Sequence, residues 1–458
     1  MRKVANFICL IFLFFTSNLA FADCKLFNNS FIPNNKENIA KAENAFIFFD
    51  GSLNMEGFVK KDEINISEVN YNYLKVIDKI PFAVASLSNN QFFQKYFTGI
   101  KTITANDVLK TSRPEFYTEC PPNIPEGQCH LSKSKISKVL DTISNLISKE
   151  QKNLFIIISD LSLSNEELVG KNIEKIKEPF IQALSSDQAI GVFGINSKFN
   201  GNIWGLPSGR KYEQAYERPF FIIAIGPDDL VTSFKELIDS EALNKIPEKD
   251  YYFNLYSNTL VKNPLTSENF SSENFIFGKG ILENNFYNNI DYTQISFSKR
   301  HDPLTIQLDL NTIQVPYTPY LQSISANAEI AELKDDSCRE YKLNNENKIK
   351  FLIEKNQTDS LITYNFQDFS NKDSNLLRRG REYVLRINFI AKSIDDQRAK
   401  WFDQWSYDQT QEDELVNNGV DFFPVLNLSN FGLLLSQIQN ENFTEQKLGE
   451  MIFLAEIQ

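Results

Sequence analysis

Apolar positions divide the chain into two differently patterned halves. From residue 44 to about 240, continuous apolar runs alternate with longer amphipathic segments. The runs predict strands at Asn44–Asp50, Phe92–Phe97, Leu154–Asp160, Ala189–Ile195 and Phe220–Gly226, and the amphipathic segments predict helices at Tyr71–Leu87, Ser134–Ser148, Glu166–Leu184 and Leu230–Ile238. Strands such as "LFIIIS" and "FFIIAIG" carry no polar face, so they belong to a sheet covered on both sides. Their alternation with helices predicts parallel pairing in a doubly wound α/β domain. After "IPEKDYYFNLY" the period changes to two: Leu304, Ile306, Leu308 and Leu310 alternate with polar neighbours, as do Tyr383, Leu385, Ile387, Phe389 and Ala391, and "NKIKFLIEK" adds a third such run. Short alternating runs separated by Asn, Asp, Ser and Gly predict a β-rich, antiparallel, sandwich-like region. The tail adds a helix, "LSNFGLLLSQI", and a last strand, "LGEMIFLAEIQ".

The N-terminus stands apart. Arg2 and Lys3, an apolar run from Val4 to Phe15 and the pattern Ala20-Phe21-Ala22 read as a cleaved secretory signal over 1–22, which places the mature protein in the periplasm or outside the cell. The remaining chain divides into an extension at 23–42, the α/β domain at 43–245, the β-rich domain at 250–398 and a C-terminal α+β segment at 399–458, expected to pack on the β-rich half. No later stretch has the roughly 18 uninterrupted apolar residues that a spanning helix needs, so no stable membrane insertion is expected. The formal net charge is −12, without a Lys/Arg cluster, which argues against nucleic acid as a partner.

Of five cysteines, Cys9 leaves with the signal. In an oxidising compartment the other four are expected to pair, Cys120 with Cys129 across a Pro-rich segment, and Cys24 with Cys338. His130 and His301 are the two histidines, and without HExxH or CxxC spacing they predict loop positions and no zinc site.

The candidate chemistry lies where strands end. "FIFFDGSLNM" delivers Asp50, Ser52 and Asn54 from a tight turn, Ser134 (or Ser132) precedes a helix, and Asp160 closes "LFIIISD". In an open α/β sheet, ligands bind beyond the carboxyl ends of strands. Two carboxylates with neutral oxygens, and neither sulfur nor imidazole, suit a hard divalent cation such as Mg2+, or Mn2+ or Ca2+.

These segments, "DGSLNMEGF", "SKISKVL" and "IIISD" in that order, resemble the von Willebrand factor A domain family and its metal-ion-dependent adhesion site. The resemblance covers about residues 43–240, and "GINSKFNGNIW" and "ERPFFIIAIGP" resemble secreted bacterial members. It implies a Rossmann-like fold in which Asp50, Ser52, Asn54, Ser134 and Asp160 hold the metal and a protein partner's carboxylate completes the shell. Three positions depart from the family pattern: Asn54 for serine, Ser134 for threonine, and Leu161 for the glycine that usually follows the last aspartate. The chain is therefore expected to be a binding or scaffold protein and not an enzyme. The alternative is a structural or assembly subunit with a metal-free docking domain of this type.

A haloacid-dehalogenase-like phosphatase would place Phe48 where its chemistry needs a nucleophilic aspartate. "GPDDL" reads as a helix start. Asn200, Gly201 and Asn202 read as a hairpin turn, and Trp401 and Trp405, four apart, as core before binding patch.

Overall fold

A computed structural model describes residues 41–60, 71–97, 99–118, 135–147, 152–162, 171–204, 206–208, 210–260 and 400–457, together with Thr318 and the strands between 270 and 395. Seven strands form one mixed sheet: β1 (Ala42–Asp50), β2 (Ser88–Tyr96), β3 (Ile100–Ile103), β4 (Asn153–Ser159), β5 (Gln188–Ile203), β6 (Tyr212–Pro227) and β7 (Tyr251–Tyr256), in the order β3-β2-β1-β4-β6-β5-β7. Helices α1 (Asn72–Ile77), α2 (Ile80–Leu87), α3 (Ile136–Leu146), α4 (Lys171–Ser185) and α5 (Asp228–Ile238) accompany it.

Alternate side chains of the central strands enter opposite cores. Ile47 and Phe49 of β1, with Leu154, Ile156 and Ile158 of β4, pack among Tyr73, Val76, Ile80, Leu230 and Phe234. Phe48, Phe155 and Ile157 pack among Val139, Leu140, Ile143, Ile176 and Phe180. Burial on both faces is why these strands read as unbroken apolar runs.

The expectation of parallel pairing holds for β1 with its two neighbours and fails on both sides of them, β3 being antiparallel to β2. β1 is parallel to β2 and to β4, whereas β6 is antiparallel to both β4 and β5, and β7 is antiparallel to β5. The cause is the link between β5 and β6, residues 204–211, which reverses the chain and is too short for the dozen or more residues of a parallel crossover. Asn200, Gly201 and Asn202 lie within β5, just before that reversal.

The C-terminal segment corrects a second expectation. Helix α6 (Trp401–Gln404) and helix α7 (Leu428–Asn442) join the second of the two α/β cores, where Trp401, Phe402, Trp405, Phe431 and Leu435 meet Phe221, Phe180 and Tyr256. The last strand, Gln446–Ile457, joins the β-rich half. A pattern of apolar spacing shows that a helix has a buried face but not which sheet covers it.

The β-rich half contains a six-stranded sheet in the order Ser337–Glu340, Tyr320–Lys334, Glu382–Asp395, Gln446–Ile457, Tyr292–Phe297, Gly278–Gly280. A four-stranded sheet runs Leu352–Gln357, Leu361–Gln367, Leu304–Asp309, Phe270–Ser271. Pairing is antiparallel except between Tyr292–Phe297 and the last strand. Among the described residues, no helix is long and apolar enough to cross a membrane. The expected signal, both cysteine pairs, both histidines, Ser132 and Ser134 involve residues outside the described set.

Candidate functional site

Three parallel strands place the site. Asp50 is the last residue of β1 and pairs with Tyr96 of β2, and Asp160 follows the last residue of β4, so both carboxylates stand at one edge of the sheet. Each is 1% exposed. Buried carboxylates need partners, and these find them inside the chain. Asp50 accepts the Ser52 backbone N–H at Oδ1 (2.9 Å) and the Ser159 hydroxyl at Oδ2 (2.8 Å). Asp160 accepts the Ser162 backbone N–H at Oδ1 (3.2 Å) and the Ser162 hydroxyl at Oδ2 (2.9 Å).

The decisive partner of Asp160 comes from β6. Arg218 donates from Nη2 to Asp160 Oδ2 at 2.8 Å and to the Ser162 hydroxyl at 2.6 Å. Both side chains of this ion pair are almost wholly buried, 2% and 1% exposed, and the guanidinium also lies over the Phe199 ring, 5.7 Å from its centroid. Arg218 sits at the start of "RPFFIIAIG", where the antiparallel course of β6 carries it to the same sheet edge as Asp160.

A second buried cation, Lys95, stands on β2 opposite Phe49. Its stem fills the space beside Gly51, where an added Cβ would fall 2.8 Å from Lys95 Cγ, and its ammonium donates to the Phe116 carbonyl and lies over the Phe116 ring. Near Asp50 the phenols of Tyr73 and Tyr117 share a hydrogen bond of 2.8 Å, and Tyr117 donates to the Thr111 carbonyl at 2.6 Å. Burial first, with the Asp50 charge contributing, holds both phenols above their ordinary range, so they stay neutral.

Asn54 is committed elsewhere. Its Oδ1 accepts the Trp204 backbone N–H at 2.7 Å, and its Nδ2 donates to the Trp204 carbonyl at 3.3 Å. This amide clasps the turn after β1 to the end of β5. The same junction brings Gly201 against Gly57: a Cβ on Gly201 would lie 2.5 Å from the Gly57 Cα. Backbone cannot yield as a flexible side chain does. Gly201→Val is therefore expected to destabilise the protein by about 1–3 kcal/mol, read as a lowered urea midpoint with an unchanged slope.

Leu161, directly after Asp160, has φ +48°, the left-handed region that glycine favours, while its side chain is buried.

The sequence-based set is thus brought together in part. Asp50, Ser52 and Asp160 share the edge, Asn54 is turned to Trp204, and Ser134 lies outside the described residues. Of these, the Ser52 hydroxyl is buried with no hydrogen-bond partner. Among the described residues, no cluster of three or more His, Cys, Asp or Glu is placed to hold a metal. As placed, the described donors do not fit a divalent cation. A guanidinium already compensates Asp160, the amide oxygen of Asn54 is spent on backbone, and a divalent ion would stand beside a buried positive charge. Sequence reasoning missed Arg218, Ser159 and Lys95; for Arg218 the available signal was a charge set directly before the long apolar run of β6, where it must find an internal partner.

No protein-family model, curated protein or solved structure matches the chain.

Proposed function

We propose that the chain is an extracytoplasmic protein-binding subunit of structural or assembly type. Its α/β unit would be a von Willebrand A-like docking domain that works without a divalent ion. The observation that carries this reading is the buried Arg218–Asp160 pair: a positive charge supplied by the chain occupies the electrostatic role that a metal has in the adhesion-site arrangement. The signal-like N-terminus supports an extracytoplasmic location, and the order Asp50, Ser52, Asp160 at a parallel sheet edge supports the family resemblance.

A binding role is favoured over phosphoryl chemistry because Phe48, at the position a phosphatase nucleophile would need, points into the buried core. The metal-dependent reading is second, favoured by the unpartnered Ser52 hydroxyl. Thermal unfolding separates the two. A metal-free docking domain has the same midpoint in ~10 mM MgCl2 or MnCl2 as in metal-free buffer, whereas an ion held by Asp50 and Asp160 raises it, with the rise lost in Asp50→Ala/Asp160→Ala.

A further inference from the structure

β6 outruns β4. Its pairing with β4 covers residues 221–225 and ends where Phe221 meets Ser159, whereas its pairing with β5 continues past Arg218 and Glu217 to Tyr212. The stretch of β6 before Phe221 thus has an edge that β4 does not cover, at the carboxyl end of β4, where ligands bind in an open α/β sheet. A segment from the chain's own C-terminal part sits on that edge. The Asp421 carbonyl accepts the Glu217 N–H at 2.8 Å and the Tyr216 N–H at 3.2 Å, and the Phe423 N–H donates to the Glu217 carbonyl at 2.8 Å, so Phe422 pairs with Glu217 in a parallel bridge. Because β5 holds the other side of Glu217, this pairing falls in the lane that β4 has left.

Phe423 anchors the segment. It is buried, with its ring centroid 4.7 Å from that of Tyr212 on β6 and 5.6 Å from that of Tyr407. Burial holds the Tyr407 phenol above its ordinary range, and the charges of Arg218, Glu412 and Asp160 reach it, so the anchor stands beside the buried ion pair. Upstream, the helix Glu412–Asn418 is tied down at its first residue: the buried Glu412 carboxylate accepts the Ser208 N–H at 3.2 Å and the Ser208 hydroxyl. Between these anchors the chain lies on the surface. Asn417, Asn418, Gly419 and Asp421 are exposed, the Val420 N–H donates to the Tyr212 hydroxyl at 3.1 Å, and Gly419 turns the chain with φ +65°, a conformation that glycine adopts without strain. A surface segment joined to β6 by an isolated bridge is of the kind that opens before the sheet beneath it.

We infer that residues 419–423 fill, in cis, a strand-docking groove on β6, and that a partner docks by displacing them with an extended strand of its own, an aromatic side chain taking the place of Phe423. Main-chain bonds to Glu217 give such a strand its hold, and the pocket between Tyr212 and Tyr407 gives it selectivity. The segment seated there defines the partner's chemistry: an extended peptide with an aromatic residue at the paired end. The inference rests on the docking reading above but not on how Asp160 is compensated, since the groove consists of backbone and aromatic surface.

The test is a fluorescence-anisotropy titration of the full chain into a labelled peptide of residues 419–427, GVDFFPVLN, and into the same peptide carrying Phe423→Ala. In the wild type the resident segment competes, so apparent affinity falls with the fraction of chains that are open. Gly419→Ala strains the exposed turn and leaves both anchors in place; it is expected to bind the peptide at least about threefold more tightly than wild type. Phe423→Ala in the protein empties the pocket and is expected to bind at least about tenfold more tightly, with the substituted peptide binding neither variant. Absence of saturable binding to folded Gly419→Ala, or equal binding of the two peptides, would overturn the inference even if Phe423→Ala fails to fold. So would amide exchange in which Tyr216, Glu217 and Phe423 open only in global unfolding, together with residues 221–225. A chain that fails here while its thermal midpoint stays indifferent to MgCl2 loses the groove and keeps the docking reading; a midpoint raised by MgCl2 removes the metal-free reading and leaves the groove.

Discussion

Arg218→Met is expected to destabilise the protein by about 3–5 kcal/mol, because it leaves Asp160 buried without its compensating charge. Methionine keeps much of the length of the arginine stem, so the loss reports charge and hydrogen bonds more than volume. The magnitude is set by burial: with side chains 2% and 1% exposed, neither partner recovers solvation when the other is removed. An exposed pair such as Lys110–Asp107 gives a fraction of this. Asp160→Leu alone should be comparably harmful, since it strands the guanidinium. The double variant Arg218→Met/Asp160→Leu should regain most of the loss, because two apolar groups leave no orphan charge. A double-mutant cycle by urea denaturation checks this, and the expected coupling exceeds about 2 kcal/mol. Additive losses would mean that the pair contributes nothing specific.

Trp401→Ala carries the other large expected effect, also about 3–5 kcal/mol. The indole lies flat on Tyr252, with ring centroids 5.5 Å apart and planes 4° apart, and stacks on Phe402 at 3.9 Å. Its Nε1–H donates to the buried Asn254 side chain, so truncation orphans an acceptor as well as opening a cavity. Gly194 explains the close approach: a Cβ there would fall 2.6 Å from the Trp401 ring, so only glycine lets the indole reach the strand. Because Trp401 anchors α6, and α6 meets α7 where Phe402 faces Phe431, the loss should expose the second core of the α/β unit. The check is a lowered urea midpoint together with faster amide exchange across α7. A change below 1 kcal/mol would place the indole at the surface and contradict the packing described above.

Strands were legible in the sequence because burial on both faces leaves uninterrupted apolar runs, as in "LFIIIS" of β4. The segment from Leu428 to Ile438 was likewise legible as a helix, and Trp401 with Trp405 read as core, as the structure places them. Strand direction was not legible. Apolar runs do not encode it, and the short Gly- and Pro-containing link at 204–211 makes the reversal that leaves β5 and β6 antiparallel. The identity of the surface beneath α7 was hidden for a related reason, since the chain returns to the first sheet only after passing through the β-rich strands.

At the site, local spacing found what a single turn brings together, namely Asp50 and Ser52. It could not reveal that Arg218, 58 residues beyond Asp160, would meet it across the β4–β6 pairing. Nor could it show that Asn54 would face Trp204, which lies 150 residues away. Both corrections are long-range contacts created by sheet order. They turn a set of expected ligands into an internally compensated cluster.

The account's central claim is that Arg218 takes the place of a divalent ion beside Asp160. Calorimetric titration of manganese into the wild-type chain and into Arg218→Met tests it most directly. No signal dependent on Asp50 and Asp160 in the wild type, with saturable binding appearing in the variant once the guanidinium is gone, is the predicted result. Saturable manganese binding to the wild type that is lost in Asp50→Ala/Asp160→Ala would contradict it.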